Sequence, residues 1–238
     1  MYKRQVIAKW ERDAGITLAE AQRQAIYASL EHGVFVLTGG PGTGKTTVVK
    51  GILNVLEQAG CRILLAAPTG RAARRLADSA GHPAATVHRL LEYQPTGDGL
   101  CFGKDDSDPL DAEAIIIDEA SMLDITLTYH LLKAIPGGCR LIFVGDVDQL
   151  PSVGPGNVLR DIIESRKIPV IRLTRIFRQA QSSRIVMSAH TINQGYYPDT
   201  SNGKNTDFFF INQEQPEAVA ATIVELVQKR LPQAYDVN

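Results

Sequence analysis

Short apolar runs alternate with amphipathic stretches over most of the chain. The runs at 34–37, 62–67, 114–118, 140–144 and 170–173 are apolar at nearly every position rather than at every second one, which predicts strands buried on both faces. Segments with apolar residues at helical spacing lie between them, near 46–59, from 70 onward, at 123–135 and at 158–165. Such strands alternating with helices predict an α/β fold, a parallel sheet covered by helices on both faces. Upstream, residues 3–14 read as a short helix with Val6, Ile7 and Trp10 on one side, ending near Gly15. Thr17 is placed to cap a second helix, with Glu20 three residues on as the reciprocal partner.

The pattern is less regular elsewhere. Residues 86–91 read as a short turn or helix, and 94–111, rich in glycine and aspartate, as an exposed loop or small hairpin. After about residue 175 the alternation stops. Residues 182–195 read as a helix ending in a glycine, 196–206 as a polar loop and 207–211 as an edge or buried strand. A helix begins near Pro216, its stripe formed by Val219, Ile223, Leu226 and Val227. This divides the chain into N-terminal helices (1–32), a sheet domain (33–178) and a linker helix with the incomplete start of a second unit (179–238).

The formal net charge of −1 over 238 residues gives no global basic field, although a local patch can still bind nucleic acid. Cys61, Cys101 and Cys139 have neither metal-ligand nor disulfide-framework spacing, which fits a reduced, cytoplasmic compartment. No leader segment opens the chain and no apolar run is long enough to span a bilayer, so no membrane partner is expected.

The predicted strand at 34–37 runs into Gly39-Gly40-Pro41-Gly42-Thr43-Gly44-Lys45-Thr46, followed by Thr47 and a helix. Strand, Gly-rich turn and helix in that order form a phosphate-binding loop. Glycines let successive N–H groups face one point, and the helix N-terminus adds its partial positive charge there. Lys45 would reach the β- and γ-phosphates and the Thr46 hydroxyl would sit on Mg²⁺, so ATP or GTP is the expected ligand.

The strand at 114–118 ends in Asp118 and Glu119, at the carboxyl edge where parallel sheets bind ligands. Asp118 can hold Mg²⁺, and Glu119 can orient and deprotonate a water; both could instead cap the next helix. Gln149 follows the strand at 140–144 and can contact the γ-phosphate or the water, while Asp146 and Asp148 can equally satisfy turn amides. Arg71, Arg74 and Arg75, near His88 and Arg89, form a compact basic group. With the donors of Pro68-Thr69-Gly70, this group could meet a nucleic-acid backbone or be a solvated face. Arg175 and Arg178 flank Phe177 where the pattern changes, suited either to a phosphate or to an ordinary ion pair.

Together these segments resemble a superfamily 1 DNA helicase of the RecD-like type, the family of exodeoxyribonuclease V alpha subunits. Leu18-Ala-Glu-Ala-Gln22 is similar to its adenine-recognising element, Gly39–Thr46 to motif I, Ala66–Ala73 to motif Ia, Thr86–Leu91 to the segment after it, Ile117–Met122 to motif II, Gly145–Gly154 to motif III and Arg175–Gln179 to the start of motif IV. The resemblance implies a RecA-like P-loop NTPase fold. It implies ATP and Mg²⁺ as cofactors and 5′ to 3′ translocation on single-stranded DNA in a complete motor. Gln22 would then read adenine, Gln149 would couple nucleotide state to DNA, and Arg178 would touch the γ-phosphate. Pro68, Thr69, Gly70, Arg71, His88 and Arg89 would meet single-stranded DNA, with other recombination or repair subunits as possible partners. Motifs V and VI of the second motor half are not recognised, so weak DNA binding and slow hydrolysis are expected of this polypeptide alone. A conjugative relaxase–helicase, an ATP-binding interaction module and a small-molecule P-loop kinase are the rival readings.

Overall fold

The computed structural model describes residues 2–96, 99–203 and 206–235. The chain divides into two compact units, Met1–Ser182 and Ser183–Asn238.

The first unit is built on a six-stranded sheet. Its strands are β1 (Val34–Gly39), β2 (Ile63–Ala67), β3 (Ala84–Thr86), β6 (Ala114–Ile117), β7 (Arg140–Gly145) and β8 (Val170–Leu173), in the order β3-β2-β6-β7-β1-β8. Every neighbouring pair is parallel. A separate antiparallel hairpin, β4 (Tyr93–Thr96) with β5 (Gly99–Phe102), occupies part of the stretch read as a loop or hairpin. Successive strand residues point to opposite faces, and in β1, β6 and β7 both faces are dry. Phe35, Leu37, Ile116, Ile142 and Val144 enter one core with α1 (Tyr2–Asp13), α2 (Glu20–Glu31), α3 (Lys45–Gln58) and α4 (Gly70–Ala80). Their neighbours Val36, Ile115, Ile117, Leu141 and Phe143 enter the other, with α5 (Val87–Leu90), α6 (Ile125–Ala134) and α7 (Val158–Ser165). This two-sided burial is why the runs read as continuously apolar. A short helix, α8 (Arg178–Gln181), closes the unit.

Two local expectations are corrected. Thr17 does not cap α2; Ala19 occupies the cap position, and Gln22 Oε1 accepts its N–H at 2.9 Å. An amide three residues into the helix thus replaces the hydroxyl at its start. Residues 207–211 form no strand. The Asn202 side chain donates to the Phe210 carbonyl and accepts the Phe210 N–H, both at 2.9 Å, so those backbone groups are satisfied without a neighbouring strand.

In the second unit α9 (Arg184–Asn193) carries Ser183 as its cap. The Asp207 carboxylate accepts the Arg184 and Ile185 N–H groups at 2.7 and 3.3 Å. α10 (Pro216–Glu225) starts on its proline and runs through a π-helical turn, Leu226–Arg230, into α11 (Leu231–Tyr235).

Candidate functional site

The site grows from the end of β1. Gly39 is buried, and a side chain there would meet the Leu173 carbonyl of β8 at 2.7 Å. The loop then turns through Gly42 and Gly44, at φ 74° and 84°, a left-handed region that glycine alone enters without cost. No side chain caps α3, so its first N–H groups face outward as an anion cradle. Thr43 Oγ1 donates to the Gly40 carbonyl at 2.8 Å, bracing the loop. Lys45 Nζ donates to the carbonyls of Gly39 and, at 3.2 Å, Gly40. Burial holds the Lys45 ammonium below its usual pKa range, against the opposing pull of Asp146, Glu119 and Asp118.

Asp118 follows β6 two strands away. Its N–H donates to the Ala66 carbonyl at 2.9 Å, which keeps the residue in line with the sheet. Burial pushes the Asp118 carboxyl above its ordinary range, while the Glu119 N–H that it accepts pulls the other way. Glu119 has φ 52°, a left-handed conformation that costs a non-glycine residue about 1–2 kcal/mol. Its carboxylate pairs with the Arg75 guanidinium from α4. Gly145 ends β7 close by, where a side chain would crowd the N–H groups of Ala120 and Ser121 at 3.2 Å.

Asp146 is buried and serves its own turn, accepting the Asp148 N–H at 3.1 Å and the Gln149 amide at 3.3 Å. Gln22 is buried too. Beyond capping α2, its Nε2 lies 3.5 Å from the Gly44 carbonyl, which ties the second helix to the phosphate loop. The Phe177 N–H donates to the Gly42 carbonyl at 3.2 Å, so the segment after β8 also reaches that loop.

These pieces line one open cavity of about 850 Å³. Gln22, Gly40, Pro41, Gly42, Thr43, Gly44, Lys45, Thr46 and Thr47 line it, as do Asp118, Glu119 and Gln149. The donor set suits a nucleoside triphosphate with Mg²⁺: amides and an ammonium for phosphate, a hydroxyl and a carboxylate for the metal. The Arg178 side chain lies outside the described residues. Leu18, from the segment resembling the adenine-recognising element, also lines the cavity, as do Ile16, Thr17, Arg75 and Phe177, to which the sequence assigns no such place. By sequence Arg75 groups with Arg71 and Arg74. Only the strand order, which sets β2 beside β6, reveals that the helix after β2 can reach the acids after β6.

None of the residues expected to meet nucleic acid lines the cavity. Thr69 Oγ1 accepts the Ala72 N–H at 3.2 Å as the cap of α4, and Arg71 is exposed on its first turn. Exposed His88 packs on Tyr93 and Phe102, with ring centroids 5.6 and 6.5 Å away, beside exposed Arg89. No helix among the described residues is long and apolar enough to cross a membrane, and no group of metal-binding side chains of the His/Cys/acid type was found among them.

A family model described as an AAA domain matches residues 22–155. The chain is 41% identical over 181 residues to an ATP-dependent RecD2 DNA helicase of Deinococcus radiodurans, an overlap covering 76% of this chain and 24% of that protein. It is 44% identical over 168 residues to the RecBCD enzyme subunit RecD of Mycobacterium tuberculosis, covering 61% of this chain and 29% of that one. The match thus spans under a third of each relative. Among solved structures, the Pif1 helicase of Candida albicans aligns with a TM-score of 0.54 at 23% identity, over 77% of this chain and 46% of that one. This last likeness concerns the fold.

Proposed function

We propose, for a chain that belongs to the AAA-domain family as a RecD-like superfamily 1 helicase motor module, that it is the ATP-binding half-site of a 5′ to 3′ DNA helicase. The observation that carries the reading is the convergence of the phosphate loop, Asp118, Glu119 and Gln149 on one cavity.

In this reading Lys45 exchanges its two carbonyl acceptors for phosphate oxygens, and the α3 N-terminus supports the same charge. Thr46 and Asp118 would hold Mg²⁺, which when bound neutralises charge on the phosphates. Gln22 would set the adenine end. Glu119 takes a proton from a water whose oxygen attacks the terminal phosphorus, and the bond to the ADP oxygen breaks. Gln149, whose backbone N–H and side-chain amide donate to Asp146 at 3.2 and 3.3 Å, keeps its amide oxygen to register the terminal phosphate and transmit its presence.

Pro68, Thr69, Gly70, Arg71, His88 and Arg89 are proposed to meet single-stranded DNA. The Thr69 hydroxyl oxygen is engaged as a cap, yet its proton remains available for a phosphate. Translocation and any assembly with recombination or repair subunits are proposed for the longer protein, by analogy with its relatives. This polypeptide alone is expected to bind ATP and hydrolyse it slowly. The test is ATP binding and turnover beside Glu119→Gln. Binding retained with turnover lost supports the reading; absence of ATP binding in the unaltered chain defeats it.

A further inference from the structure

Arg75 has no role in the reading above, yet it lines the same cavity as Lys45 and pairs with Glu119. Lys45 and Arg75 are the two cationic side chains lining the cavity among the described residues, and they face two carboxylates, Asp118 and Glu119. The Arg75 charge is also felt at Lys45 and at Asp118, behind the larger effect of burial at each. The partners are unequal in freedom. The Glu119 side chain is short and 16% exposed, whereas Arg75 is 68% exposed on a long flexible stem. If the pair opens, the arginine is therefore the one to move.

We propose that Arg75 exchanges Glu119 for the terminal phosphate of a bound nucleoside triphosphate, so that one guanidinium both senses that phosphate and releases Glu119 to act on water. This rests on the nucleotide-binding reading and deepens it. A guanidinium matches a phosphate bidentately at least as well as it matches a carboxylate, and a triphosphate presents more negative charge than one glutamate. A diphosphate offers nothing at the terminal position, so the pair with Glu119 stays closed in its presence. Arg75 is thus a phosphate-contacting residue supplied by this unit itself, from the helix that begins at the proposed DNA-binding turn.

The test is equilibrium binding of ADP and of a non-hydrolysable ATP analogue to the unaltered chain, Arg75→Ala, Glu119→Gln and the double variant. Arg75→Ala is expected to weaken the triphosphate about tenfold and ADP by less than about twofold, with Arg75→Lys intermediate. Glu119→Gln removes the competing partner, so it is expected to tighten the triphosphate about threefold, and to lose that gain when Arg75 is alanine. A purely structural pair would shift both nucleotides alike. Equal loss of ADP and triphosphate affinity on Arg75→Ala overturns the proposal, as does a Glu119→Gln gain that persists without Arg75. If the unaltered chain binds neither nucleotide, the nucleotide-binding reading itself falls and this proposal falls with it.

Discussion

Burial acts on Lys45 and Asp118 in opposite senses, and both effects matter for stability. Asp118 keeps its proton to a higher pH in the folded chain than in the unfolded one. Between the two values stability from this group falls as pH rises, and above both the buried carboxylate is a standing cost. Asp118→Asn is therefore expected to raise the melting temperature at pH 7 by about 2–4 °C, the amount that 1 kcal/mol is worth in a chain of this size. The gain should shrink as pH falls toward 4, and thermal denaturation across that range checks it. Lys45 behaves in mirror image: its folded pKa is depressed, so its contribution improves as pH rises toward the unfolded value. Lys45→Ala should cut turnover by about 10²–10³-fold, measured under saturating ATP. Lys45, Asp118 and Glu119 were legible because spacing and strand ends announce them. Arg75 was not, because its pairing depends on which strands lie side by side.

The phosphate loop fixes more than a ligand site. A side chain at Gly44 would need a left-handed backbone and would strike the Gln22 amide. Gly44→Ala is thus expected to cost about 1–2 kcal/mol, and to weaken nucleotide binding as Gln22 is displaced; chemical denaturation and nucleotide titration read the two effects. β1, β2, β6 and β7 were legible because they are buried on both faces. β3 escaped notice since Ala84-Ala85-Thr86 is short, half-buried and without large apolar side chains. The Thr17–Glu20 pair that the pattern offers does not cap α2, because the reciprocal contact comes from Gln22. At 207–211 the aromatic run suggested a strand, but Phe209 and Phe210 are exposed and Asn202 takes up the backbone bonds. Apolarity announces burial only where an element exists to cover it.

Among the described residues, every large apolar side chain that is buried belongs to the first unit. Among the described residues from 183 onward, Ser188 is the one that is buried. Native-state amide exchange should follow that division. The centres of β1, β6 and β7 should exchange at least about 10³-fold more slowly than residues 206–215, and comparable rates would contradict the described packing. Strand order is the whole-molecule property that the sequence left open, and it gathers β1, β6 and β7 so that their loops share one cavity. The most direct test of that convergence is ATP turnover by the chain, with and without single-stranded DNA, beside Glu119→Gln. The account predicts ATP binding in both proteins and slow turnover that the substitution abolishes. Turnover that survives Glu119→Gln would contradict it, since the acid after β6 would then not belong to the centre that hydrolyses ATP.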